Sequence, residues 1–172
     1  METLQDVELD EIRTDVGFLF QGSALYDSMT VRDNIEFPLR RHTLKFGRIR
    51  DATPMVMEVL KNVGLEETID LMPEELSGGM KRRIALARTL ILKPKIILYD
   101  EPTTGLSAAD SLELIEVLRD VANEGYTIVM TIHQPRQSIF EKVDKLLLLA
   151  AGQQVYFGPV SEVGAYFTNN GF

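Results

Sequence analysis

The chain is predicted to be an α/β protein built on a parallel sheet with crossover helices, and three observations carry that expectation. From Lys95 onward the apolar period alternates strand, helix, strand, helix, strand, the pattern of parallel strands joined by crossovers. An earlier apolar run, Val16 to Phe20, reads as one more short buried strand. Between them, residues 22–93 read as helices without an intervening strand, so the sheet is interrupted by a helical insertion. A chain of 172 residues with 45% hydrophobic content is about one domain by the usual prior of roughly 150 residues each, and it can fill a core.

The insertion begins with Thr30-Val31-Arg32-Asp33-Asn34-Ile35-Glu36-Phe37, a helix opened by Thr30 and expected to stop near Pro38, which lacks an N–H to continue it. The next helix has Thr53 placed to cap it and Pro54 at its first position. Its stripe is Met55, Val56, Val59, Leu60 and Val63, and Gly64 ends it. A third starts at Ser77, offers Ile84, Leu86, Ala87, Leu90 and Ile91 for burial, and ends before Pro94. Its Arg82, Arg83 and Arg88 are expected on a solvated or subunit-facing surface.

After the apolar strand Ile96-Ile97-Leu98-Tyr99 comes Ser107 with Asp110, a Ser-x-x-Asp capping pattern for a helix through Leu112, Ile115, Leu118 and Val121. Thr127–Ile132 is strand-like. Gly152-Gln153 is expected to turn the strand Leu146–Leu149 back into Gln154–Phe157, and Ser161 to cap a last helix bearing Val163, Tyr166 and Phe167.

Composition excludes several classes. No cysteine is present, so disulfides and thiolate metal sites drop out and a reducing compartment is compatible. A net charge of −8 opposes a general nucleic-acid surface, because such binding is driven by phosphate neutralisation. The local basic cluster Arg40, Arg41, Lys45, Arg48 and Arg50, beside His42, is either a solvated loop or a contact for a partner or an anionic lipid surface. The longest apolar run, Leu146 to Ala151, is far below the roughly 20 residues that span a bilayer. With no signal peptide read at the start, the expectation is a cytoplasmic polypeptide that meets the membrane only peripherally, through partners.

Two motifs carry chemistry. Ile96-Ile97-Leu98-Tyr99-Asp100-Glu101 is an apolar strand ending in adjacent carboxylates, which lets one acid serve Mg²⁺ and the next an attacking water. Leu76-Ser77-Gly78-Gly79-Met80 is a Ser-Gly-Gly turn opening a helix. Its serine is a natural N-cap, and its free N–H groups and positive dipole end suit a phosphate.

In this order and this close together, the two resemble the signature and Walker B motifs of ATP-binding-cassette (ABC) ATPases. The resemblance covers nearly the whole chain: Gln21 stands where the Q-loop glutamine belongs, Thr103 to Asp110 resembles the D-loop region, and His133 matches the switch histidine. It implies a fold like that of phosphate-loop NTPases, with 1–21 and 94–172 as a partial RecA-like core and 22–93 as the helical signature subdomain. It also implies ATP and Mg²⁺ as cofactors, with Asp100 and Gln21 at the metal. Glu101 would be the general base, His133 would sense the γ-phosphate, and Ser77, Gly78 and Gly79 would close over ATP held by a second, head-to-tail ATPase subunit beneath transmembrane permease subunits.

Two departures stand out. Ser107 occupies the D-loop position where the family usually has Asp, and no Gly-x-x-x-x-Gly-Lys-Ser/Thr phosphate loop occurs in the 172 residues. The isolated chain is therefore expected to lack ATPase activity, as a truncated cassette, a remnant or a chimera. The first half, Phe20 to Leu39 and Met72 to Met80, looks like bacterial Mla/Mce-type phospholipid-transport ATPases. The second, Thr131 to Phe140 and Val155 to Pro159, looks like the G-type cassettes of pigment and sterol exporters. Lipid or other apolar cargo is the shared implication. A non-catalytic ABC fragment that only folds or binds and a non-transport ABC ATPase remain as alternatives.

Overall fold

Val16–Leu19, Ile96–Tyr99 and Thr127–Met130 form β1, β2 and β3 of a parallel sheet in the order β1-β2-β3 in this computed structural model, which describes residues 12–47 and 49–171. Residues 1–11 of the predicted core segment 1–21, and Arg48 of the basic cluster, lie outside the described residues. The register pairs Leu19 with Tyr99 and Tyr99 with Met130, so all three strands end level. Successive side chains alternate between faces. Leu19, Ile97 and Tyr99 are buried, whereas Phe18, Ile96 and Val129 are exposed.

Both crossovers run in one direction across the sheet, so right-handed connections place their helices on one face. The first returns through Gly78–Leu90 and the second is Ala108–Asn123. With Val31–Arg41, Thr43–Phe46 and Thr53–Asn62 as α1, α2 and α3, these two are α4 and α5. Gly17 permits the close approach of α4: a Cβ there would lie 2.3 Å from the Thr89 methyl. Gly79 does the same where α4 meets α5, since a Cβ would come 2.8 Å from an Asp110 carboxylate oxygen.

The core is made of the helical stripes. Val31, Ile35 and Leu39 of α1, Val56, Val59 and Leu60 of α3, Ile84 to Ala87 and Leu90 of α4, and Leu114, Ile115, Leu118 and Val121 of α5 are all buried. Several local expectations are corrected by this packing. Helix α1 does not stop at Pro38 but runs to Arg41. Burying Leu39 beyond the proline gains about 2 kcal/mol, which goes most of the way to offsetting a proline penalty of about 3 kcal/mol. Thr53 is the first residue of α3 rather than its cap. Its hydroxyl accepts from Arg32 at 2.8 Å, and Asp51 takes the Thr53 N–H at 2.9 Å instead.

Arg82 and Arg83 are not a solvated surface either. Arg82 is 8% exposed, and Arg83 spans from the Val63 carbonyl to Glu113. Of the basic cluster, Arg40 pairs with Glu36 and Asp33, Arg41 lies 5.4 Å over the Phe37 ring, and Lys45 reaches Thr14 and Asp15.

Residues 1–133 and 134–172 are two units. The second consists of the short helix α6, Gln137–Phe140, the antiparallel hairpin of β4, Lys145–Ala150, and β5, Gln153–Pro159, and then α7, Val163–Asn169. A 3-10 turn, Val160–Glu162, takes up Ser161 and precedes α7, whose cap position is Glu162 rather than the expected Ser161. Among the described residues no helix is long and apolar enough to cross a membrane.

Candidate functional site

Level strand ends bring the candidate residues together. Because Leu19, Tyr99 and Met130 align, the residues that follow them emerge along one edge of the sheet: Gln21 after β1, Asp100 and Glu101 after β2, and Thr131 to His133 after β3. The ladder continues one step further, with the Asp100 N–H donating to Leu19 at 2.9 Å and the Thr131 N–H to Tyr99 at 3.0 Å. In open parallel sheets, ligands bind at this carboxyl end.

The two carboxylates are held unlike each other. Asp100 is exposed and accepts from the Thr131 hydroxyl at 2.7 Å. That same hydroxyl accepts the Glu101 N–H at 2.9 Å, so Thr131 ties both acids to the neighbouring strand. Strand alternation has ended by this point: Glu101 has φ +43°, a left-handed backbone that costs a non-glycine residue energy and that persists when its surroundings hold it. Its carboxylate accepts from the Thr104 hydroxyl at 2.8 Å, and the Thr104 carbonyl in turn accepts from buried Arg82 at 3.1 Å. Arg82 thus connects α4 to the loop carrying Glu101.

Buried Tyr99, just before the acids, has a hydroxyl without a hydrogen-bond partner among the described residues. Burial pushes its pKa up to about 12, an effect that nearby Arg82 partly opposes.

The signature-like serine does what a cap does. Ser77 is the N-cap of α4, its hydroxyl accepting from the Met80 N–H at 3.2 Å. Ser77 and Gly78 are exposed and Gly79 is buried against α5. Ser107 likewise caps α5, accepting from the Asp110 N–H at 3.1 Å while its hydroxyl donates to the Asp110 carboxylate at 2.6 Å.

Gln21 and Gly22 form an exposed turn, and His133 is exposed beyond β3. Of the predicted residues, then, Gln21, Asp100, Glu101 and His133 share the strand-end edge, while Ser77 to Gly79 sit at the helix start. Mg²⁺ keeps several waters and uses one or two carboxylates together with phosphate oxygens. An exposed Asp100 with one oxygen fixed by Thr131, next to Glu101, is a donor set of that kind.

Four contributors escaped the sequence reading: Thr131, Thr104, Arg82 and Arg88. Thr131 had a usable signal, its place two residues before His133. The arginines had none, because their partners are backbone carbonyls remote in sequence. Arg88 donates to the carbonyls of Ser23 and Ala24, and burial lowers its pKa.

Comparison with known proteins adds the following. The sequence model of the ABC transporter family matches residues 1–104. The chain is 33% identical over 165 residues to ABC transporter G family member 22 of Arabidopsis thaliana, covering 93% of this chain and 22% of that protein. It is 31% identical over 161 residues to the broad substrate specificity ATP-binding cassette transporter ABCG2 of Rattus norvegicus, covering 91% and 24%. It therefore spans about a fifth to a quarter of the length of these curated relatives. Among solved structures, CbiO1 from Clostridium perfringens, described as part of the ABC transporter complex CbiONQ, superposes with a TM-score of 0.81 at 26% identity. That match covers 95% of this chain and 63% of the other.

Proposed function

The chain belongs to the ABC transporter family, and from that premise we propose that it is an ATP-binding and hydrolysing segment of an ABC transporter. The observation that carries this is the level ending of β1, β2 and β3, which gathers Gln21, Asp100, Glu101 and His133 on one sheet edge. On this reading Asp100, with Gln21, holds Mg²⁺, and the metal supplies charge neutralisation at the transferring phosphate. Glu101 accepts the proton of the attacking water, held in its strained turn by Thr104 and Thr131. His133 donates toward the terminal phosphate. Ser77, Gly78 and Gly79 present the start of α4 to ATP on a second, head-to-tail ATPase subunit.

Residues 22–93 act as the helical subdomain, and 1–21 with 94–172 as part of the RecA-like core. Transmembrane permease subunits and a place on the cytoplasmic face of the membrane follow from the same reading. Lipid or other apolar cargo is proposed on the sequence resemblance alone, of the first half to phospholipid-transport ATPases and of the second to G-type exporter cassettes. One observation favours a narrower role for the segment by itself: these 172 residues contain no phosphate-loop pattern. Without its backbone cradle and lysine the β- and γ-phosphates lose their main holders, so residues 1–172 alone act as half a nucleotide site with negligible hydrolysis.

The test uses a completed cassette in which these residues are joined to a phosphate loop. Glu101→Gln keeps Mg²⁺-ATP binding by calorimetry while hydrolysis falls by about 10²–10⁴-fold, the usual worth of a general base. Near-normal turnover in that variant rejects the assignment. Micromolar ATP affinity and turnover by residues 1–172 alone would reject the half-site reading.

A further inference from the structure

We propose that Arg88 is a positioning residue for Gln21, a proposal that rests on the reading of Gln21 as part of the nucleotide site. The loop after β1 folds back on itself: the Ser23 N–H donates to Phe20 at 3.2 Å and the Ala24 N–H to Gly22 at 2.6 Å. To do so, Ser23 and Ala24 adopt φ +58° and +47°, two consecutive L-residues in the left-handed region, where Gly, Asn and Asp are the usual occupants. Such a conformation persists when its surroundings over-determine it.

Arg88 supplies the determination. One guanidinium nitrogen donates to the Ala24 carbonyl at 2.7 Å and the other to the Ser23 carbonyl at 3.0 Å, a charge-assisted two-point grip matching the planar fork of arginine. No ion pair of Arg88 occurs among the described residues, so its bonding is directed at backbone geometry. The next residue, Thr89, is the one packed against Gly17 of β1. The grip and the strand that launches Gln21 therefore share one rigid support.

On the far side, buried Asn34 holds the Tyr26 N–H at 2.8 Å and the Tyr26 carbonyl at 3.1 Å. The turn is fixed at its entry by β1 and at 23–24 by Arg88, so the backbone on both sides of Gln21 is held. Releasing Ser23 and Ala24 to negative φ swings the peptide two residues from Gln21 and loses its aim.

Two measurements test this. In residues 1–172, Arg88→Met speeds amide exchange of Ser23 and Ala24 by about tenfold or more, while amides of Ile84 to Leu90 keep their rates; Arg88→Lys, which retains a single donor group, falls between. Unchanged exchange at Ser23 and Ala24 overturns the grip, and Arg88→Lys still decides the matter if the methionine variant does not fold. In the natural protein, Gln21→Ala and Arg88→Met are combined in a double-mutant cycle on kcat. A residue acting through Gln21 adds no further loss once Gln21 is gone, whereas a purely structural role gives additive losses and overturns the proposal. Absence of ATP hydrolysis by a cassette completed with a phosphate loop would reject the nucleotide-site reading, and the exchange experiment would still decide whether Arg88 holds the loop.

Discussion

Thr131 shows how much one hydroxyl can organise. It donates to Asp100 and accepts from the Glu101 N–H, so Thr131→Val strips a partner from each acid while keeping the β-branched shape. The expected stability loss is about 1 kcal/mol by urea unfolding, as for an ordinary hydrogen bond. On the proposed reading, hydrolysis in the natural protein falls further than stability explains, because the carboxylates lose their placement. Equal turnover in that variant would show that Thr131 is only structural. Tyr99 offers a different test. Its hydroxyl is buried without a partner among the described residues, so Tyr99→Phe leaves stability at neutral pH unchanged or slightly higher. The folded pKa is raised by burial from 10.0 to about 12. The group's contribution is therefore fully present below pH 10 and is lost as pH climbs toward 12. Thermal melts above pH 10 should decline for the wild type more steeply than for the phenylalanine variant; parallel curves would contradict the burial argument.

Helix α4 is the element on which the site hangs. Its start is capped by Ser77, its second turn reaches the Glu101 loop through Arg82, and its last turn grips the Gln21 loop through Arg88. The last of these depends on α4 lying close to β1, and Gly17, packed against Thr89, is what allows it. Gly17→Ala should cost about 1–3 kcal/mol, the usual effect of overpacking, because its Cβ would stand 2.3 Å from the Thr89 methyl. Removing that methyl with Thr89→Ser in the same chain should recover much of the loss. Urea midpoints of the single and double variants check this, and an additive double variant would refute the contact. Proline 38 teaches the complementary lesson that a local breaker yields when the residue beyond it has a core position to fill.

At the scale of the whole molecule, the helices α4 and α5 that connect the strands lie on one face of the sheet, and large apolar side chains on the other face are exposed among the described residues. Phe18, Phe20 and Val129 are 52%, 62% and 55% exposed, and parallel sheets are ordinarily covered on both faces. Residues 1–172 in isolation should therefore self-associate in a concentration-dependent way, as exposed apolar patches do. Val129→Lys, on the exposed face, should reduce the mass seen by light scattering without lowering the melting temperature. A monomeric wild type at high concentration would remove the basis for this expectation.

Much of the protein was legible from its residues alone. The two motifs, the order of strands and helices, the serine caps at Ser77 and Ser107, and the α/β class all follow from periodicity and from hydrogen-bonding preferences that act over three or four residues. Those signals are local, so a single sequence carries them wherever packing does not override them, as it does at Pro38 and Thr53. What tertiary structure alone decided was register and partnership. That β1, β2 and β3 end level, that Thr131 serves both acids, and that Arg82 and Arg88 turn inward to carbonyls 22 and more residues away depend on which surfaces meet. An arginine reads as a surface residue from sequence because a charge favours water; it became internal here because backbone carbonyls with no helix or strand partner of their own could accept its hydrogen bonds in place of water.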